Sequence, residues 1–192
     1  MKEWNIGVDS WIIQDGNYGD FNVGQIAQFA LEFYPQKVEI TSLREKSASL
    51  VSDSTYKING EIILIKDKLW IIDFGVCAYQ EANLPNNAKV GDYISAEIYL
   101  GIDYYIYFES LYKLQGIPPL IYKWNIKKIF EQTAPFIESE LEGRKVLTRD
   151  KTKLGYKEIQ ETNAWEDDNG HANYILQCEK NDDTPKFNIS TI

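Results

Sequence analysis

The stretch that most restricts the fold is "STYKINGEIILIKDKLWIIDFGVCAY", residues 54–79. Apolar and polar residues alternate on both sides of Lys66-Asp67-Lys68, which reads as a hairpin of two strands. Trp70, Ile72, Phe74 and Val76 then share one face. Gly75, inside an otherwise apolar run, predicts a bulge or sharp bend. With 44% hydrophobic residues, the 192-residue chain holds enough apolar material for one sizeable core around such a hairpin.

The flanking segments extend the β reading. Residues 4–14 alternate loosely, and 26–34 alternate better. Phe29, Leu31 and Phe33 fall on one side of the latter, with Gln28, Glu32 and Tyr34 on the other. Pro35 is expected to end that strand, with a further short strand over 37–41. The polar, Ser-rich residues 44–54 read as a connection. "KVGDYISAEIYLG" gives a third central strand with Val90, Ile94, Ala96 and Ile98 inward. The period then changes. In "DYYIYFESLYKLQG" Tyr104, Phe108, Leu111 and Tyr112 recur at helical spacing, Asp103 is the N-cap, and Gly116 with Pro118 and Pro119 ends the helix. A strand over 119–130 follows; residues 126–141 also fit a helical period, which Pro135 would interrupt. Asn169-Gly170 predicts a hairpin between "YKEIQETNAW" and "HANYILQCEK". A last short strand falls at 186–190.

The expected fold is mainly β (α+β), with antiparallel sheets. Three strands, a helix and at least two more strands over roughly 55–178 are similar in order to a small OB-like barrel, whose one helix lies between its third and fourth strands. Residues 1–50 are expected to form an N-terminal β-strand segment packed on a main body of 51–192, in one compact unit. This element order implies no particular activity.

Charge narrows the partners. The formal charge is −9. It is spread unevenly: residues 1–122 hold 16 acids and 9 bases, 123–157 hold 5 acids and 9 bases, and 158–192 hold 8 acids and 2 bases. A basic segment between two acidic ones points to self-neutralising contacts. The balance favours basic partners and repels phosphate backbones. "MKEWNIGVDSW" lacks a signal peptide's apolar run, and no apolar stretch has the length of a membrane span, so a cytoplasmic location is expected. Cys77 and Cys178 lack any CxxC spacing and read as two reduced, inert thiols.

Chemistry-bearing motifs are sparse. "DGNYGDF" at 15–21 resembles a calcium loop at first sight. Counted from Asp15, however, Gly19, Asp20 and Ile26 occupy positions that need a ligand, glycine and a carboxylate. Counting from Asp167 fails in the same way, at His171, Ala172 and Cys178. Both loops therefore read as turns. His171 is the one histidine and lies at opposite strand parity to Cys178. Neither a metal nor a cofactor is expected. There is no GxGxxG, P-loop, GxSxG or HExxH. The one paired-carboxylate idea joins Asp73 to Glu97, across neighbouring strands, as weak catalytic candidates. The stronger feature is aromatic. Tyr93, Tyr99, Tyr104, Tyr105, Tyr107 and Tyr112 fall within twenty residues. Tyr93, Glu97, Tyr99, Tyr104, Tyr105, Tyr18 and Trp11 are the expected binding surface.

Catalysis is not the expected activity. The composition points to a non-catalytic binding protein, an acidic protein–protein interaction or inhibitor module akin to bacterial-type immunity proteins. Two alternatives are a small-ligand or oligosaccharide binder, or hydrolase, with an aromatic and carboxylate-lined barrel mouth, and a single-stranded nucleic-acid binder using Lys123, Lys127, Lys128, Arg144, Lys145 and Arg149.

Overall fold

The computed structural model describes residues 3–82, 84, 87–141, 143–181 and 185–187. The chain opens with β1 (Glu3–Asp9), α1 (Ser10–Gln14), β2 (Ile26–Phe29), β3 (Leu31–Thr41) and β4 (Ser47–Ser52). It continues with β5 (Thr55–Lys66), β6 (Leu69–Asp73), β7 (Cys77–Glu81), β8 (Tyr93–Ile102) and α2 (Ile106–Glu109). β9 (Tyr122–Gln132), β10 (Phe136–Leu141), β11 (Arg144–Arg149), β12 (Tyr156–Ile159) and β13 (Asn173–Lys180) complete it.

The protein is mainly β, with a closed five-stranded barrel and one short helix between β8 and β9. Closure follows the pairings β5–β6, β6–β7, β7–β3, β3–β8 and β8–β5; all are antiparallel except the β3–β7 contact at Glu32 and Tyr79. β3, from the first fifty residues, is thus a barrel stave and not a strand packed outside it. A second layer grows from β8, which meets β1 in parallel at Gly7 and Gly101. β1 pairs with β13, and β13 with β9. β2 and β12 share the other edge of β9, and β2 runs through Ala30 into the barrel stave β3.

One hydrophobic cluster fills both layers. Phe33 meets Trp70 edge-on at 4.8 Å in the barrel, and Phe29 stacks on Trp124 at 5.5 Å in the second layer. Trp70, Ile72, Phe74 and Val76 all join it, as their alternation requires. The intervening Ile71 and Tyr79 are also buried, under Tyr107, Leu111, Ile117 and Leu120 of the segment that contains α2. Residues 69–72, "LWII", are apolar throughout because both faces of that stretch are covered.

Several boundaries differ from expectation, each for a local reason. Residues 10–14 are helical, which lets consecutive Ile12 and Ile13 both reach the core; a strand would expose one. Pro35 does not end β3. The strand passes it through a bulge between Pro35 and Lys37, where a missing N–H does no harm. The Ser-rich connection contains β4, which among the described residues pairs with β5 alone, at the end of the sheet. Gly75 (φ 110°) turns β6 back onto β7, with Asp73 opposite Cys77. Val90 lies exposed in the turn before β8, although Ile94, Ala96 and Ile98 face inward as expected. The helix spans four residues: Tyr105, at φ 91°, is its N-cap in place of Asp103, and Ser110, at φ −137°, ends it; Asp103 still accepts the Tyr107 N–H at 3.2 Å, and Gly116 is left-handed. Residues 126–132 are strand. The expected hairpin across Asn169-Gly170 does not form: both residues have positive φ, but β12 and β13 flank β9 on opposite sides. Of the strand expected at 186–190, Lys186 bridges Ile121, and 188–190 lie outside the described residues.

Candidate functional site

A recess opens where β1, the β4–β5 turn, β8, β9 and β13 meet the β10–β11 hairpin. It measures about 550 Å³ and is lined by Asp9, Asp53, Tyr99, Gln132, Arg149 and Asn173, among others. A smaller hollow of about 100 Å³ adjoins it and adds Ser54, Tyr156 and Tyr174. The volume of the larger recess suits a small organic ligand.

Each polar group there is placed by local structure. Tyr99 lies on the outward face of β8, and its hydroxyl fills the space left by Gly7: a Cβ built on that glycine falls 1.8 Å from Tyr99 Oη. Burial, then the Asp9 carboxylate, pushes the Tyr99 phenol up, while the Ser54 hydroxyl bonded to it pulls the other way. Asp53 holds the tight β4–β5 turn at φ 48°, and the Asn5 side-chain amide donates to its carbonyl at 2.9 Å. Burial and a hydrogen bond to Asp53 raise the Tyr156 phenol to about 12. At the end of β1, Asp9 Oδ1 accepts from Asn173 Nδ2 at 2.5 Å. Asn173 Oδ1 in turn accepts from Arg149 Nε at 3.1 Å.

Arg149 anchors one wall. It donates to the carbonyls of Ala134 (2.9 Å) and His171 (2.8 Å), forms an ion pair with Asp168 and stacks over Phe136 at 3.9 Å. Its charge is therefore already matched by Asp168. Among the described residues no Lys or Arg pairs with Asp9 or Asp53.

A second polar centre lies beside the first, on the outer face of β3 and β8. The Tyr34 and Tyr99 rings are 6.1 Å apart, and Tyr34 donates to Glu32 Oε2 at 2.8 Å. Glu32 is 4% exposed, and Asp103 fully buried. Burial lifts the Glu32 carboxyl to about 7 and the Asp103 carboxyl to about 6. Tyr79 donates to Asp103 Oδ1; Oδ2 is buried with no hydrogen-bond partner among the described residues. Tyr18 donates to the Asp103 carbonyl at 2.9 Å.

Of the residues expected to bind, Tyr99 alone lines the recess. Trp11 contacts Tyr104 at 5.7 Å, and Tyr18 contacts Tyr105 at 6.1 Å, so these four flank the buried carboxylates. Tyr93 lies elsewhere, under Arg44. Glu97 sits between Lys37 and Lys57 on the neighbouring strands. Asp73 and Glu97 do not meet. Asp73 shares the Lys46 ammonium with Glu61 at 2.8 and 3.2 Å, and that pairing pushes the Lys46 ammonium up. Glu61 stands opposite Tyr93, four residues along β8 from Glu97, or about 13 Å of strand.

Sequence reasoning missed Asp9, Asp53, Gln132, Asn173 and Glu32. One signal was available: Asp53-Ser54 closes a hairpin whose partner strand was unrecognised. The calcium-like loops are structural. Asp20 Oδ1 accepts from Thr162 Oγ1 (2.8 Å) and the Ala164 N–H (3.0 Å); Asp167 accepts from the Asn163 N–H and from Tyr174. Among the described residues no group of three or more His, Cys, Asp or Glu side chains could hold a metal ion. Cys77 and Cys178 are free thiols. Of the nine bases in 123–157, three pair with C-terminal acids, Lys127–Glu179, Lys128–Glu158 and Arg149–Asp168, and Lys145, Lys153 and Lys157 pair with acids of the same segment. Among the described residues no helix is long and apolar enough to cross a membrane.

The fold and recess define a mainly β protein with a small closed barrel and, on its flank, a cleft whose largely apolar wall carries a few polar groups. No protein-family model, curated protein or solved structure matches the chain.

Proposed function

We propose that this is a non-catalytic binding protein whose ligand seats in the Tyr99 cleft. The observation that carries the reading is convergence. Asp9, Asp53, Tyr99, Gln132 and Asn173 come from five separate stretches of chain and meet around one recess of about 550 Å³. Their positions are held by bonds among themselves and to the backbone, so little ordering is left for binding to impose. The carboxylates act as acceptors held by Asn173 and Tyr156, an arrangement suited to recognition. The net charge of −9 fits an acidic module that attracts a basic partner, as in immunity-type inhibitors. The ion pairs along residues 123–157 break up the cationic stripe that single-stranded nucleic acid requires.

The test is two-dimensional NMR of labelled protein against pooled polar metabolites and short peptides. Ligands are expected to shift Tyr99, Gln132 and Asn173 first. Shifts confined to the groove around Glu97, or to the Trp11–Tyr104 patch, would place the site elsewhere.

A further inference from the structure

We infer that the cleft selects a cation, an alkylammonium or alkylguanidinium group held between Asp9 and Asp53. This rests on the proposed binding role and adds the chemistry of the ligand.

Charge accounting leads to it. Two carboxylates face the recess, and their hydrogen-bond donors, Asn173 Nδ2 and the Tyr156 hydroxyl, are neutral. Among the described residues the cation in the wall is Arg149, which is matched by Asp168 and further satisfied by two backbone carbonyls. Arg149 reaches Asp9 only through the Asn173 amide, a polar relay that carries no net charge. The recess thus holds two negative charges without a paired cation among the described residues. A group that arrives with N–H donors and a positive charge completes them, and charge-assisted bonds of this kind are among the strongest in proteins.

Shape agrees with charge. Tyr99 and Tyr156 offer ring surface, and Leu154 an apolar side, to the methylene stem behind such a head group. Gln132 and Thr148 supply further oxygen acceptors in the cleft wall. A phosphate or carboxylate ligand meets two like charges instead, which disfavours it.

The cation has two sources, a free amine or guanidine and a Lys or Arg side chain on another protein. Three probes separate them: agmatine, the blocked peptide Gly-Arg-Gly and neutral methyl glucoside, each titrated at about 50 mM salt, where charge attraction is little screened. Agmatine or the peptide is expected to shift Tyr99, Gln132 and Asn173, and methyl glucoside is not. Tighter agmatine points to a small molecule, tighter peptide to a protein side chain. Asp53→Asn and Asp9→Asn should each weaken the cation roughly tenfold, since each removes one charge-assisted bond. Asn tolerates the left-handed backbone at position 53, so the turn survives that change. An unchanged melting temperature in each variant confirms that the cleft is intact. If methyl glucoside alone shifts these residues, the cation assignment is wrong and the cleft reading stands. If no probe shifts them, both fall.

Discussion

Gly7 decides whether the cleft has a floor. Any side chain there would occupy the space of the Tyr99 hydroxyl. Gly7→Ala should therefore displace Tyr99 and destabilise the protein by about 1–3 kcal/mol, the usual cost of overpacking, as read from denaturant melts. Unaltered stability would mean that Tyr99 is not seated as described. A second single-residue effect concerns protons. Glu32 and Asp103 have carboxyls raised to about 7 and about 6 against ordinary values of 4.5 and 3.8, first because of burial. The folded state then binds more protons than the unfolded chain between about pH 4 and pH 7. Their contribution is complete below that window and is lost as pH rises through it. For Asp103 the difference is on the order of 2–3 kcal/mol. Melting temperature should fall between about pH 4 and pH 7, and Asp103→Asn with Glu32→Gln should flatten the slope. A slope unchanged by both substitutions would contradict the assignment.

At the scale of elements, Arg149 carries the polar attachment of the β10–β11 hairpin among the described residues, beside the Phe136–His171 ring contact. The bonds of Arg149 to Ala134, His171, Asn173 and Asp168 tie the hairpin to the end of β13. Arg149→Ala should speed amide exchange across 136–149 while leaving β5 to β8 protected. Arg149→Lys should rescue little, because an ammonium cannot reproduce the guanidinium fork or its stacking on Phe136. Equal exchange in the variant and the parent would show that other contacts hold the hairpin. Elements were legible where one face is buried and the other wet, as in β5 and β8. They were not legible where a strand lies at an edge. β4 exposes both Leu50 and Val51, so its alternation vanishes, and with it went the Asp53 turn. The 163–171 turn carries the right left-handed residues, yet it joins strands separated by β9, a long-range pairing no local pattern encodes.

Among the described residues, barrel and second layer share a core through β3 and β8, so they are expected to unfold as one cooperative unit. Phe33→Ala in the barrel and Trp124→Ala in the second layer should each cost about 3–5 kcal/mol and shift the same single transition. Two separable transitions would divide the protein in a way its pairing does not. A small barrel was expected from the order of elements over 55–178, and a closed one forms from β3 and β5 to β8. The cleft was not, since its residues lie far apart in the chain and meet only once β1, β8 and β13 are side by side. The most direct test is a crystal structure of the protein grown with agmatine at low salt. The account predicts the guanidinium between the Asp9 and Asp53 carboxylates, with the Tyr99 ring against its stem. An empty cleft, with agmatine bound elsewhere on the surface, would contradict it.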